Sequence, residues 1–243
     1  MIKQTELVMH PMTEITKEQY VKIDSTPWLE PDQSFSVLDV TVYADGEMHG
    51  GGSAYGQWFP RVLETLYTGK KFKNCFEWCS GPGFIGFSLL AHELIENLYL
   101  HDVYKPALYA CQHTKKNLPS RLKNSIVETF HSEDISILSS DLKFDLIVSN
   151  PPHWDWTINP YAATIASHRI CADDGWQIHK RFFDRIKLHL NDDGIILLQE
   201  ATWSSGPDTF RSMIDNNGLE ISRCFHVKQE PNYYFLEVRH KKG

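Results

Sequence analysis

The chain has little of what staples or anchors a protein. Its five cysteines, Cys75, Cys79, Cys111, Cys171 and Cys224, are odd in number and scattered, with no Cys-x-x-Cys pair. That argues against a disulfide framework and against a zinc ribbon. Twelve histidines are present, yet none sits in a His-Glu-x-x-His or close His/Cys cluster, so no metal is expected. No apolar run reaches the length of a membrane span, and no membrane partner is expected. Positive charge is also short: 24 Lys and Arg face 31 Asp and Glu, a formal net charge of −7, which repels a phosphate backbone. The basic clusters at Lys70-Lys71-Lys73, at Lys115-Lys116 with Arg121 and Lys123, and at Arg239 to Lys242 do not interleave with aromatics. A nucleic-acid partner is therefore not expected. The opening residues Met1 to Glu6 lack a basic segment followed by an apolar core, so the expected location is the cytoplasm.

What is present is a rhythm. The 243 residues are enough for one large α/β domain. From about residue 58, strand-length apolar runs alternate with amphipathic stretches of helix length. Helices are predicted near 57–67, 85–97, 106–117, 176–190 and 207–216. Strands are predicted at 74–78, 98–101, 125–130, 144–149 and 194–199, with a closing antiparallel pair at 220–227 and 233–239. This order predicts a parallel sheet with helices on both faces. Residues 1–56 are less regular. A helix signal at 16–23 has Thr16 and Gln19 at capping-box spacing, and Pro27 ends it. A strand-like stretch at 36–44 leads into Gly46 and Gly50-Gly51-Gly52. The expectation is an N-terminal extension, residues 1–56, that lies as a lid over the pocket of a domain spanning 57–243. His49-Gly50-Gly51-Gly52 has the form of an esterase oxyanion loop, but no Gly-x-Ser-x-Gly elbow supplies a nucleophile.

Two segments carry chemistry. The apolar run ending at Val148 passes into Ser149-Asn150-Pro151-Pro152-His153. Two prolines fix φ and remove N–H groups, which leaves carbonyls free to accept from a ligand. An Asn amide oxygen beside such a carbonyl makes a two-acceptor clamp for an NH₂ group. Alone, the turn also reads as a strand end that the Asn merely caps. The second segment is Glu77-Trp78-Cys79-Ser80-Gly81-Pro82-Gly83-Phe84-Ile85-Gly86. Its glycines fit Gly-x-Gly-x-x-Gly, with Asp102 placed to bind ribose hydroxyls at the end of the next strand. That pattern also allows an NAD(P)-dependent oxidoreductase. Glu77 favours a different ligand, because a buried carboxylate repels pyrophosphate and suits a cation with an amino group.

With these residues the stretch from about 57 to 243 resembles the class I S-adenosylmethionine-dependent methyltransferases. The first motif of that family is an acidic residue and a glycine loop, here Glu77, Cys79, Gly81 and Gly83. The second is Asp102, followed by Val103. The third lies within Ser132-Glu133-Asp134-Ile135, where Glu133 and Asp134 are alternative registers for the residue facing the adenine amine. The fourth, an Asn-Pro-Pro-aromatic turn, is Asn150 to His153. The resemblance implies a Rossmann-like α/β sheet, mostly parallel with an antiparallel C-terminal strand and helices on both faces. It implies S-adenosyl-L-methionine as cofactor, held by the residues of the first three motifs and by Asn150. It also implies methylation of a planar nitrogen, with Asn150, Pro151 and His153 in catalysis. Trp154, Trp156 and Tyr55 are the expected substrate contacts.

Two positions depart from the pattern: Cys79 stands where a glycine is usual, and His153 where Tyr or Phe is usual. The expected acceptor is a small molecule, peptide or protein. Protein-glutamine enzymes of this type carry a helical N-terminal substrate domain, unlike the irregular, glycine-rich first sixty residues here. A methyltransferase-like enzyme that closes the side chain of S-adenosylmethionine into an azetidine ring, releasing methylthioadenosine, is the alternative use of the same pocket.

Overall fold

The computed structural model describes residues 7–9, 34–44, 56–155, 157 and 171–242. Its centre is β4 (Phe72–Trp78), whose side chains alternate between two apolar layers: Cys75 faces one, Phe76 and Trp78 the other. From β4 the chain steps outward through β5 (Ile95–Asp102) to β6 (Val127–His131), all parallel. It then returns to the far side of β4 for β7 (Phe144–Ser149) and β8 (Leu190–Ala201), again parallel. β10 (Tyr233–His240) runs antiparallel between β8 and β9 (Leu219–Val227). The short β1 (Leu7–Met9) adds an antiparallel edge to β9. The resulting order is β1-β9-β10-β8-β7-β4-β5-β6.

The strand sequence therefore reverses between β4 and β7, and the carboxyl ends of these two strands border the crevice where open α/β sheets take ligands. The Ser149 hydroxyl donates to the Trp78 carbonyl and ties the two ends together. One layer over the sheet holds α1 (Trp58–Leu66), α2 (Phe84–Ala91) and α3 (Lys105–Lys116), with Phe59, Phe87 and Leu98 in its core. The other holds α4 (Gln177–Ile186) and α5 (Pro207–Asp215), with Phe182, Phe183 and Phe210 in its core.

Three elements differ from expectation. The helix predicted to reach 97 ends at Ala91, and β5 begins at Ile95 rather than 98. Glu93 takes φ 57°, its N–H bonds to the Leu90 carbonyl, and the Leu94 N–H bonds to the Leu89 carbonyl. This is a Schellman ending with a non-glycine at its left-handed position. Leu94, Ile95 and Leu98 fit either period, and pairing of Ile95 with Phe72 decides for strand. β8 likewise begins at Leu190, not 194, and the helix predicted to run to 190 closes in a 3₁₀ turn at Lys187–His189. Finally, the single strand predicted at 36–44 is a hairpin, β2 (Ser34–Val37) and β3 (Val40–Tyr43), turning at Leu38-Asp39. Val40 and Val42 are buried in the α1–α3 layer, and the Tyr43 N–H donates to Thr114 Oγ1 at 3.0 Å. Arg121 binds Asp39, Glu93 and the Ala91 carbonyl, joining the turn to the end of α2. This part of the N-terminal extension shares the domain's core. The helix signal at 16–23 and the glycine run at 46–52 lie outside the described residues.

Candidate active site

The glycine loop leaves β4 through Cys79, whose φ of 51° is the left-handed conformation that glycine adopts without strain. Cysteine here thus holds a backbone conformation usually left to glycine. Gly83, at φ 82°, opens α2, and a Cβ there would meet the Phe87 ring at 2.8 Å. Gly86 sits deeper: a Cβ would meet Glu77 Oε2 at 2.6 Å and collide with Leu98. Glu77 is buried, and it accepts the Gly86 N–H at 2.7 Å and the Ile85 N–H at 3.3 Å. Burial pushes its carboxyl up to about 8, against the pull of those two amides. Its carboxyl oxygens are thus bound to the first turn of α2, satisfying N–H groups that a helix start leaves open.

Asp102 ends β5 and accepts the Gly81 N–H at 2.7 Å on Oδ2 and the Tyr104 N–H at 2.7 Å on Oδ1. Burial raises its pKa, and the backbone amides oppose the shift. Two donors leave lone pairs over at the strand end. Val103 beside it is 59% exposed. Beyond β6, Asp134 accepts the Ser136 N–H at 2.7 Å, and hydrogen bonding from Ser136 holds its pKa below the ordinary value. Its neighbour Glu133 is exposed. His101, under this corner, is pushed down to about 4 by burial and is neutral.

At the end of β7, Asn150 Oδ1 is sealed from solvent and, among the described residues, accepts no hydrogen bond. An orphan of this kind costs about 1–3 kcal/mol and points to a missing donor. On β8, both amide atoms of the fully buried Gln199 are also without a partner among the described residues. Pro151 is buried and His153 is 9% exposed. The ring of His153 lies edge-on to Trp203 (6.2 Å) and to Tyr233 (5.7 Å). Its Nδ1 is 3.4 Å from Glu200 Oε2. Glu200 Oε1 in turn is 3.0 Å from His179 Nε2, and His179 Nδ1 is 2.6 Å from Asp173 Oδ2. Asp173 also accepts the backbone N–H groups of Ile178 and His179.

Of the expected substrate aromatics, Trp154 packs against Trp203 at 4.3 Å and is 8% exposed. Tyr55 and Trp156 lie outside the described residues. Glu77, Cys79, Gly81, Gly83, Asp102 and Val103 gather at the ends of β4 and β5, with Asn150, Pro151 and His153 at the end of adjoining β7. The sequence reading did not anticipate Asp173, His179, Gln199, Glu200 and Trp203. The available signal was Gln199-Glu200, two polar residues directly after the apolar run Ile195 to Leu198. Among the described residues, no cluster of His, Cys, Asp and Glu is arranged to hold a metal ion.

No family model matches the chain. It is 27% identical over 137 residues to a release factor glutamine methyltransferase of Borreliella burgdorferi, a match covering 54% of this chain and 46% of that protein. The matched stretch thus spans about half the length of that curated relative. Among solved structures, an S-adenosylmethionine-dependent methyltransferase from Clostridium acetobutylicum superposes with a TM-score of 0.56 at 12% identity, covering 77% of this chain and 92% of that one. The glycopeptide N-methyltransferase MtfA complexed with S-adenosylmethionine gives 0.54 at 13% identity, covering 78% and 94%. The chain has the fold of the class I methyltransferases: a mostly parallel seven-strand sheet with β10 reversed, here with β1 as an added edge.

Proposed function

We propose that the protein is an S-adenosylmethionine-dependent methyltransferase acting on a planar nitrogen of a small-molecule, peptide or protein acceptor. The observation that carries this reading is Asn150 Oδ1, a buried acceptor without a donor among the described residues, beside a proline turn and next to the glycine loop. The residues present fit the cofactor. Asp102 keeps free lone pairs at the strand end, and Val103 beside it offers an open apolar face. Gly81, Gly83, Asp102 and Val103 would hold the nucleoside, with Asp134 or Glu133 facing the adenine amine. Glu77 and Cys79 shape the loop. When bound, S-adenosylmethionine supplies a methyl group activated by its sulfonium.

An amide-type nitrogen is a poor nucleophile because its lone pair is delocalised. Asn150 Oδ1 and the Pro151 carbonyl each accept one of its N–H bonds, which aims the nitrogen and raises its electron density as charge develops. The buried flanks at His153 and Trp203 keep water away. The partial likeness to a release factor glutamine methyltransferase supports a peptide or protein amide as acceptor. None of the five cysteines forms a disulfide, which suits a reducing compartment such as the cytoplasm.

Calorimetric titration with S-adenosylmethionine and with NAD(H) tests the cofactor. Binding of NAD(H) alone ends the proposal, and methylthioadenosine formed without an acceptor points instead to ring closure. Asn150→Ala is expected to lower methyl transfer to glutaminyl peptides or nucleosides by about 100-fold or more while cofactor affinity holds. If affinity collapses together with the rate, Asn150 is a structural cap.

A further inference from the structure

We propose that His153 takes the proton released by the acceptor nitrogen, through its Nε2, and that Glu200, His179 and Asp173 form a buried chain that fixes its tautomer. This rests on the methyltransferase reading and adds to it a fate for the proton.

The chain of contacts starts at Asp173, held by the backbone at the start of α4. Both ring nitrogens of His179 face carboxylates, at 2.6 and 3.0 Å, so both carry hydrogens and the ring is an imidazolium. Burial alone would make it neutral. Glu200 and Asp173 outweigh that and carry it up to about 9. Glu200 stays ionised despite complete burial, because His179 and His153 hold its pKa down. Two carboxylates and one imidazolium leave a single negative charge, and Glu200 Oε2 presents it to His153 Nδ1.

An ionised carboxylate can only accept, so His153 Nδ1 carries the hydrogen, and in the neutral ring Nε2 carries the lone pair. Within the described residues Nε2 makes no hydrogen bond, and it is not among the sealed polar atoms. Among the described residues, the other groups facing this ring are Trp203, which follows β8, and Tyr233, which opens β10. His153 is three residues from Asn150 across two prolines, a connection too stiff to swing away. A base is thus fixed at the strand end where Asn150 and Pro151 would grip the acceptor. Stacking alone would need none of this, since a Phe or Tyr could stack without a desolvated ionic chain behind it.

The balance is simple. The acceptor nitrogen forms its bond to the methyl carbon as the carbon–sulfur bond breaks, and that electron pair stays on sulfur as a neutral thioether. The nitrogen sheds one proton to His153 Nε2, and the imidazolium, facing Glu200, later returns it to water. Proton transfer to a placed base of this kind contributes about 10²–10⁴ in rate.

Two measurements on the full chain test this. The first needs no acceptor: nitrogen-15 spectra of the histidine rings. The expected result is the Nδ1–H tautomer for neutral His153 in the wild type, with a larger Nε2–H fraction in Glu200→Gln. An Nε2–H tautomer in the wild type overturns the proposal. The second compares His153→Phe with wild type in methyl transfer from labelled S-adenosylmethionine to glutaminyl peptides or nucleosides. A fall of about 100-fold or more, with cofactor binding retained, is expected. Transfer at the wild-type rate reduces His153 to a stacking residue. If the wild type fails to bind S-adenosylmethionine, the parent reading falls, whereas the tautomer result still judges the chain. Should Glu200→Gln not fold, the wild-type tautomer and His153→Phe decide.

Discussion

Gly86→Ala tests the packing that holds the ligand loop, because two lines of reasoning give it opposite signs. By helix propensity alone, replacing a mid-helix glycine with alanine stabilises by about 1 kcal/mol. In the structure the new methyl would lie 2.6 Å from Glu77 Oε2 and collide with Leu98, whose side chain is fully buried. Overpacking of this kind costs roughly 1–3 kcal/mol. Displacing Glu77 also loosens its 2.7 Å bond from the Gly86 N–H, a loss of about 1–3 kcal/mol for the buried N–H left unpaired. The net is a destabilisation of about 1–5 kcal/mol, or roughly 2–20 °C in Tm for a domain of this size. Urea unfolding followed by tryptophan fluorescence reads it directly. A variant as stable as wild type, or more stable, would refute the close approach of α2 to β5 and the role given to Glu77.

At Cys79, glycine and alanine both remove the thiol, so their difference isolates the left-handed backbone. Cys79→Gly is expected to be more stable than Cys79→Ala by about 1 kcal/mol in denaturant unfolding, and the reverse order contradicts the positive φ. Stability should also fall with rising pH. The folded value of His179 lies at about 9, above the ordinary 6.5, so its contribution is full below pH 6.5 and lost as pH rises through about 9. Glu77, raised from 4.5 to about 8, acts in the same direction between those values. A urea midpoint that holds or rises from pH 6.5 to 9 would show that neither group is placed as described.

Features carried by contiguous residues were legible before the fold. The run from Phe144 into Asn150-Pro151-Pro152-His153, the glycine loop after β4 and the alternation of strands with helices depend on local sterics and short-range periodicity. β7 matches its predicted limits of 144–149 for that reason. Boundaries set by a partner were not legible: Ile95 belongs to β5 because Phe72 pairs with it, and the 36–44 stretch folds back on itself because Val40 and Val42 find a core among α1–α3. The site divides in the same way. Periodicity and motif spacing pointed to Glu77, Gly83, Asp102 and Asn150 from the chain alone. They could not place Asp173, His179 and Glu200 behind His153, since those residues come together only when α4 packs on β8. Local conformation is encoded by neighbours in sequence, whereas a buried ionic chain exists only where distant faces meet and exclude water.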